Sequence, residues 1–174
     1  MTKPAPPLYH FQTTAVHAGL QPDPSTGAII TPIYQTATFA LADNAEQQQY
    51  EYARVDNPTR TALQEALAAL ENGHYALAFS SGLAAIDTLL RLLQPGDHII
   101  AGDDLYGGTY RLFSQILSEF GLVFSFVNTA DPQAVHKALT PATKLIYLET
   151  PSNPTLKIAN IAEMAQIAHD HGPW

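Results

Sequence analysis

The segment Ser80-Ser81-Gly82-Leu83 places three small residues between an apolar run and a helix-like stretch. Small side chains let an anion approach the backbone, and the first turn of a helix offers free amide groups at the positive end of its dipole. The segment therefore indicates a phosphate-binding turn. The alternative is a serine that caps the helix, followed by a glycine needed for tight packing.

A glycine-rich loop, residues 103–110, carries an aromatic side chain at its centre. Tyr106 precedes Gly107 and Gly108, so its ring has room to lie against a flat ligand. The equally simple alternative is a tyrosine packed within a glycine loop. Asp103 and Asp104 have no further carboxylates nearby in sequence, so a solvated cap is favoured over a metal site.

A third polar loop, residues 149–154, holds Asn153 between Pro151 and Pro154. The prolines restrict the backbone, and the amide of Asn153 can donate to or accept from a ligand. An ordinary proline-bounded turn is the alternative. His169 and His171 are two residues apart and point apart on a helix, so no metal site is predicted.

Two residues of the N-terminal segment also suit an anion. Arg54 has a planar fork of donors that matches phosphate, and Tyr52 adds a hydroxyl donor. An arginine on the surface is the alternative.

The helices and strands that must position these loops alternate strictly after residue 57. Asn57-Pro58 is a good helix start, and apolar runs alternate with helical patterns from there onward. Apolar strands in rotation with helices predict a mostly parallel sheet covered on both faces, whose ligands collect at the carboxyl ends of the strands. Strands are predicted at 76–79, 98–101, 122–127 and 144–149. Helices are predicted from Pro58 to the stop signal at Asn72-Gly73 and at 82–93, 109–120, 132–139 and 158–171.

Residues 1–58 are different, because they are rich in proline and keep neither a helical nor a strand period. They are predicted to form an extended arm that lies on its own domain or, preferably, on a neighbouring subunit. Residues 59–174 form the predicted α/β domain. Since the rotation calls for another strand after the last helix, we expect this domain to be incomplete.

Composition excludes several classes of function. The 174 residues carry 8 basic and 16 acidic side chains, a formal charge of −8, with no basic cluster. Nucleic acid and anionic membranes are therefore poor partners. There is no cysteine, no secretory signal and no apolar run of roughly 18 residues, so a cytoplasmic protein is predicted.

In combination and in this order, the four segments are more specific than any one of them. The chain resembles the Cys/Met-metabolism (trans-sulfuration) family of pyridoxal 5'-phosphate (PLP) enzymes, in particular cystathionine γ-lyase and cystathionine γ-synthase. The resemblance covers the chain from about His17 onward. It is carried by the segments Tyr52-x-Arg54-x-x-Asn57-Pro58-Thr59-Arg60, Ser80-Ser81-Gly82-Leu83-Ala84-Ala85, Asp104-Leu105-Tyr106-Gly107-Gly108-Thr109-Tyr110-Arg111 and Glu149-Thr150-Pro151-Ser152-Asn153-Pro154.

The resemblance implies the first half of an aspartate aminotransferase-like large domain and assigns roles to the matching residues. Ser81, with the amides of Gly82 and Leu83, would hold the phosphate of PLP. Tyr106 would stack on the pyridine ring and handle a proton, and Asn153 would hydrogen-bond near the 3-oxygen of the ring.

The resemblance also implies a homotetramer built as a dimer of dimers. Tyr52 and Arg54 would reach into the adjacent subunit and hold its phosphate. The implied activity is γ-elimination or γ-replacement on cystathionine, homoserine esters or related sulfur amino acids.

The family's Schiff-base lysine has no counterpart at a matching position here. Lys3 lies in the proline-rich tail, Lys137 on a predicted helix, Lys144 before a strand and Lys157 in a loop. We therefore expect a truncated form that is inactive alone. The alternative is a non-catalytic relative that binds PLP or phosphate weakly, or that pairs with a full-length subunit.

Overall fold

A computed structural model describes residues 9–41, 49–172 and 174 of the chain. The chain divides into two compact units, Met1–Phe79 and Ser80–Trp174. The boundary predicted from sequence, between residues 58 and 59, stays a prediction. Within the described part of the chain, every helix is too short or too polar to cross a lipid bilayer.

Among its described residues, the first unit contains two helices, α1 (Phe11–His17) and α2 (Pro58–Leu70), and one antiparallel bridge between Thr38 and Tyr52. Gly19, after α1, lies directly on α2. A Cβ at this position would stand 2.3 Å from the carbonyl oxygen of Ala62, and the backbone has a φ of +73°. Both the close approach and the left-handed conformation therefore require glycine here.

The start of α2 confirms the predicted cap and ties an extended segment to it. The side chain of Asn57 accepts a hydrogen bond from the Thr59 amide at 2.9 Å, with Pro58 in the first helical turn. The Thr59 hydroxyl donates to the Pro32 carbonyl at 2.9 Å and accepts from the Tyr34 amide at 3.0 Å. The Asn57-Pro58-Thr59 sequence thus caps the helix and anchors residues 32–34 beside it.

The second unit is an α/β layer structure built on three parallel strands. The strands are β1 (His98–Gly102), β2 (Val123–Val127) and β3 (Thr143–Tyr147), in the order β2-β1-β3. Four α-helices alternate with them: α3 (Gly82–Leu90), α4 (Gly107–Arg111), α5 (Pro132–Ala138) and α6 (Ile161–His171). A π-helical segment, Leu112–Leu117, continues α4. The predicted parallel sheet is confirmed.

Alternate residues of the strands build a separate core on each face of the sheet. Ile99 and Leu145 point to one face, where they pack with residues of α3 and of the π-helical segment. Ile100 and Ile146 point to the other face, where they pack with α5 and α6. A five-residue strand that is buried throughout, as β1 is, needs helices on both sides.

Two predicted elements differ in type, and the ends of several others shift by up to three residues. The apolar run 76–79 forms no strand: Leu77 is 73% exposed, and the Ala78 amide donates to the side chain of Gln64 at 2.9 Å. A strand needs a hydrogen-bonded neighbour, which local hydrophobicity cannot supply. The helix predicted over 109–120 begins earlier, at Gly107, and changes from α to π geometry after Arg111.

The outer edge of β3 is also paired. The Trp174 amide donates to the Lys144 carbonyl at 2.9 Å, and the Ile146 amide donates to the Trp174 carbonyl at 3.0 Å. These two bonds are the pattern of a parallel pair. Trp174 therefore lies where the sequence predicted the next strand.

At the amino end of β1, His98 is 4% exposed and uses both ring nitrogens. Nδ1 lies 2.7 Å from the Thr143 hydroxyl and Nε2 lies 2.9 Å from the Ser125 hydroxyl. His98 thereby joins the three strands at the edge opposite to their carboxyl ends. Burial lowers the pKa of His98 below its ordinary value of 6.5.

We expect the chain to lose stability as the pH falls below about 6.5. The unfolded state then binds a proton at His98 more readily than the folded state does, because burial lowers the pKa of His98. His98→Gln should remove this pH dependence and lower the free energy of unfolding in alkaline buffer by about 1–3 kcal/mol. Urea unfolding across pH measures both effects. The exposed His169→Gln is the matched control; an unchanged slope in His98→Gln would contradict the assignment.

Candidate functional site

The carboxyl ends of β1 and β3 open into a cavity of about 410 Å³, which we call the strand-end pocket. It lies at the edge where a parallel sheet places ligands. Residues of the α3, α4 and β3 regions line it: Ser81, Gly82, Leu83, Ile86, Tyr106, Thr109, Tyr147 and Glu149.

The start of α3 forms one wall of the strand-end pocket. The Ser81 hydroxyl accepts a hydrogen bond from the Ala84 amide at 3.1 Å, so the serine is a helix cap, as the simpler interpretation of the sequence proposed. The cap leaves the amides of Gly82 and Leu83 without a hydrogen-bond partner among the described residues. These two amides lie at the positive end of the helix, where an anion is stabilised.

Tyr106 forms a second wall, and Gly108 makes room for its ring. A Cβ on Gly108 would stand 2.4 Å from Cε1 of Tyr106 and 3.1 Å from Cδ1 of Leu83. The ring is therefore packed directly over the glycine backbone, with about half of the Tyr106 surface exposed. The Tyr106 amide donates to Oε2 of Glu149 at 3.1 Å.

Tyr147, the last residue of β3, lines the pocket and was not singled out from the sequence. Burial raises the pKa of its hydroxyl, the charge of Glu149 adds to the rise, and a hydrogen bond with Thr109 opposes it. Its neutral form is thus favoured. Thr109 is 2% exposed. The strand predicted over 144–149 extends past Tyr147, so nothing in the sequence indicated that this residue lies at the strand end.

The loop after β3 is held from the β1 side by Asp104. Its carboxylate accepts from the hydroxyls of Ser152 and Thr155 and from the Thr155 amide, which is 3.1 Å away. The expectation that Asp104 is a solvated cap is therefore wrong, because its partners are about fifty residues away in the sequence. Local spacing carries no signal for such a contact.

Asn153 lies in the same loop but does not line the strand-end pocket, and its side chain is exposed. The peptide bonds Thr150–Pro151 and Asn153–Pro154 are cis. The structure therefore brings together four of the predicted site residues and leaves Asn153 apart from them. The four are Ser81, Gly82, Leu83 and Tyr106.

With this geometry established, comparison with known proteins identifies the family. Residues 12–174 match the model of the family described as Cys/Met metabolism PLP-dependent enzyme. The chain belongs to this family. The resemblance inferred from the sequence is confirmed, and PLP is the cofactor on which the family depends.

Relatives and solved structures agree with the family assignment. A probable cystathionine gamma-synthase of Herpetosiphon aurantiacus is 55% identical over 166 residues, which are 95% of this chain and 52% of that protein. Cystathionine beta-lyase of Coxiella burnetii is 49% identical over 162 residues, 92% of this chain and 42% of that protein. The solved structure of cystathionine gamma-lyase from Lactobacillus plantarum complexed with L-serine is 48% identical with a TM-score of 0.88, and the match covers 95% of this chain and 43% of that one.

These matches confirm the predicted fold class. They cover only part of each relative. The chain spans about half the length of the curated relatives it matches. Activities named for those proteins therefore describe the relatives.

The strand-end pocket suits the two ends of PLP. A phosphate group matches the free amides of Gly82 and Leu83, because both donors lie at the same helix end. A flat aromatic ring matches the exposed side of the Tyr106 ring. The residues present therefore fit this cofactor.

The described lysines do not line this pocket. Lys137 lies on α5 and Lys144 is within β3, not before it as the sequence indicated. Lys157 lies in the loop that carries Asn153, and its Nζ is 2.9 Å from Oδ1 of Asp103. Lys3 lies outside the described residues.

Tyr52 and Arg54 belong to the first unit. The guanidinium carbon of Arg54 lies 4.9 Å from the centroid of the Tyr52 ring, within the range of a cation–π contact. The face of the Tyr52 ring thus lies next to the positive charge of Arg54. Their assignment to a phosphate stays a prediction.

Gly108→Ala should displace the Tyr106 ring, since the added Cβ cannot stand 2.4 Å from it. The Hα resonance of residue 108 should then lose its ring-current shift in NMR spectra. The free energy of unfolding should change by only about 1 kcal/mol, because the ring can swing outward and alanine favours the helix. Gly107→Ala is the control, because a Cβ on Gly107 would stand an ordinary 3.7 Å from its nearest atom, Nη1 of Arg111. An equal ring-current shift at residue 108 in both variants would refute the packing described.

Proposed function

We propose that this chain supplies the phosphate- and ring-binding part of the PLP site in an enzyme of sulfur amino-acid metabolism. The proposed reaction is γ-elimination or γ-replacement on cystathionine, a homoserine ester or a related amino acid. The observation that carries the proposal is the combination of two free amides and an exposed aromatic ring in one pocket. The names of the relatives support the substrate class.

Each residue of the pocket has a defined part in this proposal. The amides of Gly82 and Leu83 bind the phosphate and fix the position of the cofactor, and the Tyr106 ring orients the pyridine plane. PLP, when bound, supplies the electron sink that such reactions need. The hydroxyl of Tyr106 holds a proton at Oη for transfer to or from the substrate.

Other members of the proposed site lie outside the pocket. Asn153 is proposed to hydrogen-bond near the 3-oxygen of the ring, and Tyr52 and Arg54 to bind the phosphate of an adjacent subunit. This arrangement requires a homo-oligomer, for which a dimer of dimers is the proposed form, in the cytoplasm.

A second candidate function follows from the lysines. Since none of Lys137, Lys144 and Lys157 lines the pocket, the chain by itself would be a non-catalytic PLP-binding protein or the partner of a longer subunit. Borohydride reduction of the chain with PLP, followed by peptide mapping, tests this candidate. We expect no stoichiometric labelling. Stoichiometric labelling of one of these lysines, with a matching visible absorption band, would show that the chain carries its own Schiff-base lysine and would contradict the non-catalytic candidate.

We expect the chain to bind pyridoxine 5'-phosphate more tightly than pyridoxine. Both compounds lack the aldehyde, so exposed lysines cannot trap them, and they differ only in the phosphate. Gly82→Pro removes one free amide while keeping a residue suited to the first helical turn. It should weaken binding of the phosphate form about tenfold, the loss expected for one hydrogen bond to a charged group.

Gly82→Ala is the matched control, because it keeps the amide and adds a Cβ that meets nothing within 4 Å. Calorimetric titration measures all affinities. Equal affinity for the two compounds, or equal weakening by Gly82→Pro and Gly82→Ala, would rule out phosphate binding by these amides.

A further inference from the structure

Each of the two loops that follow β1 and β3 contributes a carboxylate that accepts hydrogen bonds from the other loop. Asp104, from the β1 loop, accepts hydrogen bonds from the β3 loop. Glu149, from the β3 loop, accepts a hydrogen bond from the backbone of the β1 loop. Each loop therefore holds the other through a charged acceptor, and we call this pair of contacts the carboxylate clamp.

The Asp104 side of the clamp orders the loop that contains Asn153. Oδ2 of Asp104 takes three hydrogen bonds, from two side-chain hydroxyls and from the Thr155 amide. The Ser152 hydroxyl, which donates to Asp104, also accepts from the Lys157 amide at 2.8 Å, and Ser152 is 4% exposed. Asn153 lies between the two residues that Asp104 holds.

The Glu149 side of the clamp fixes the backbone that carries the Tyr106 ring. The hydrogen bond joins Oε2 of Glu149 to the Tyr106 amide at 3.1 Å, across 43 residues of sequence. The same ring is constrained from below by the backbone of Gly108. The amide contact and the glycine together set where the ring stands over the strand-end pocket.

We propose that Asp104 and Glu149 are a pair of positioning residues that couple the location of Asn153 to that of Tyr106, so that both are placed together relative to the pyridine ring. This inference rests on the proposed function for its consequence in cofactor binding. The coupling itself is a property of the two loops. Neither carboxylate contacts the reacting atoms in this account.

The competing explanation is that each carboxylate only stabilises the loop that it contacts. The two explanations differ in what happens at the far side of the clamp. Under coupling, loss of the Asp104 contacts loosens the Tyr106 amide, and loss of the Glu149 contact loosens the Thr155 amide. Under local stabilisation, each change stays on its own side.

Hydrogen exchange of single backbone amides, measured by NMR on the whole chain without cofactor, separates these outcomes. In Asp104→Asn, which keeps the shape and removes the charge, exchange at the Tyr106 amide should rise about tenfold, as expected when a neighbouring charged hydrogen bond is lost. In Glu149→Gln, exchange at the Thr155 amide should rise similarly. Thr155→Val removes a single hydroxyl donor to Asp104 and gives a milder form of the first variant if Asp104→Asn does not fold.

Asp103→Asn is the matched control. It makes the same chemical change one residue earlier and removes an ion pair that joins the same two loops. That pair is half-exposed, so it contributes little to holding them together. The control variant should leave exchange at the Tyr106 amide unchanged. An increase in Asp103→Asn equal to that in Asp104→Asn, or changes in the clamp variants confined to the near side, would overturn the coupling.

Affinity for pyridoxine 5'-phosphate provides the second readout. Asp104→Asn should weaken its binding while leaving the discrimination between pyridoxine 5'-phosphate and pyridoxine intact, since Asp104 does not line the pocket and the amides of Gly82 and Leu83 are untouched. If the unmodified chain fails to discriminate the two compounds, the proposed function fails, and the exchange result still decides on the coupling.

Discussion

The parallel pairing of β1 with β3 is the constraint on which the rest of the second unit depends. In this register Ala101 lies opposite Tyr147, so β1 and β3 end at the same edge of the sheet within a few residues of each other. The β1 loop and the β3 loop are then close enough to exchange the Asp104 and Glu149 contacts. An antiparallel pairing would send the two loops to opposite edges, and the carboxylates would have no partners.

The two-sided core determines which side chains of these strands reach the pocket. Alternation places Leu145 and Tyr147 on the same face of the sheet, the face that α3 and the π-helical segment cover. Tyr147 is the last residue of β3, so its ring packs edge-on against Phe113 while the residue also lines the pocket. Packing and ligand binding therefore use one continuous layer of side chains.

Sequence patterns predicted the features that depend on neighbours along the chain. The cap at Asn57, the cap and helix start at Ser81, and the alternation of strands and helices all follow from local residue types. Two of the failures have one cause, which is dependence on distant partners. Residues 76–79 have the composition of a strand but no ladder, and the role of Asp104 became visible only when Ser152 and Thr155 were brought beside it.

We infer that the strand-end pocket binds PLP with its phosphate on α3 and its ring on Tyr106. A crystal structure of the chain grown with pyridoxine 5'-phosphate would show both contacts. We expect phosphate oxygens within hydrogen-bond distance of the Gly82 and Leu83 amides and the pyridine ring parallel to the Tyr106 ring. A phosphate bound elsewhere on the chain, or a ring that does not contact Tyr106, would contradict it.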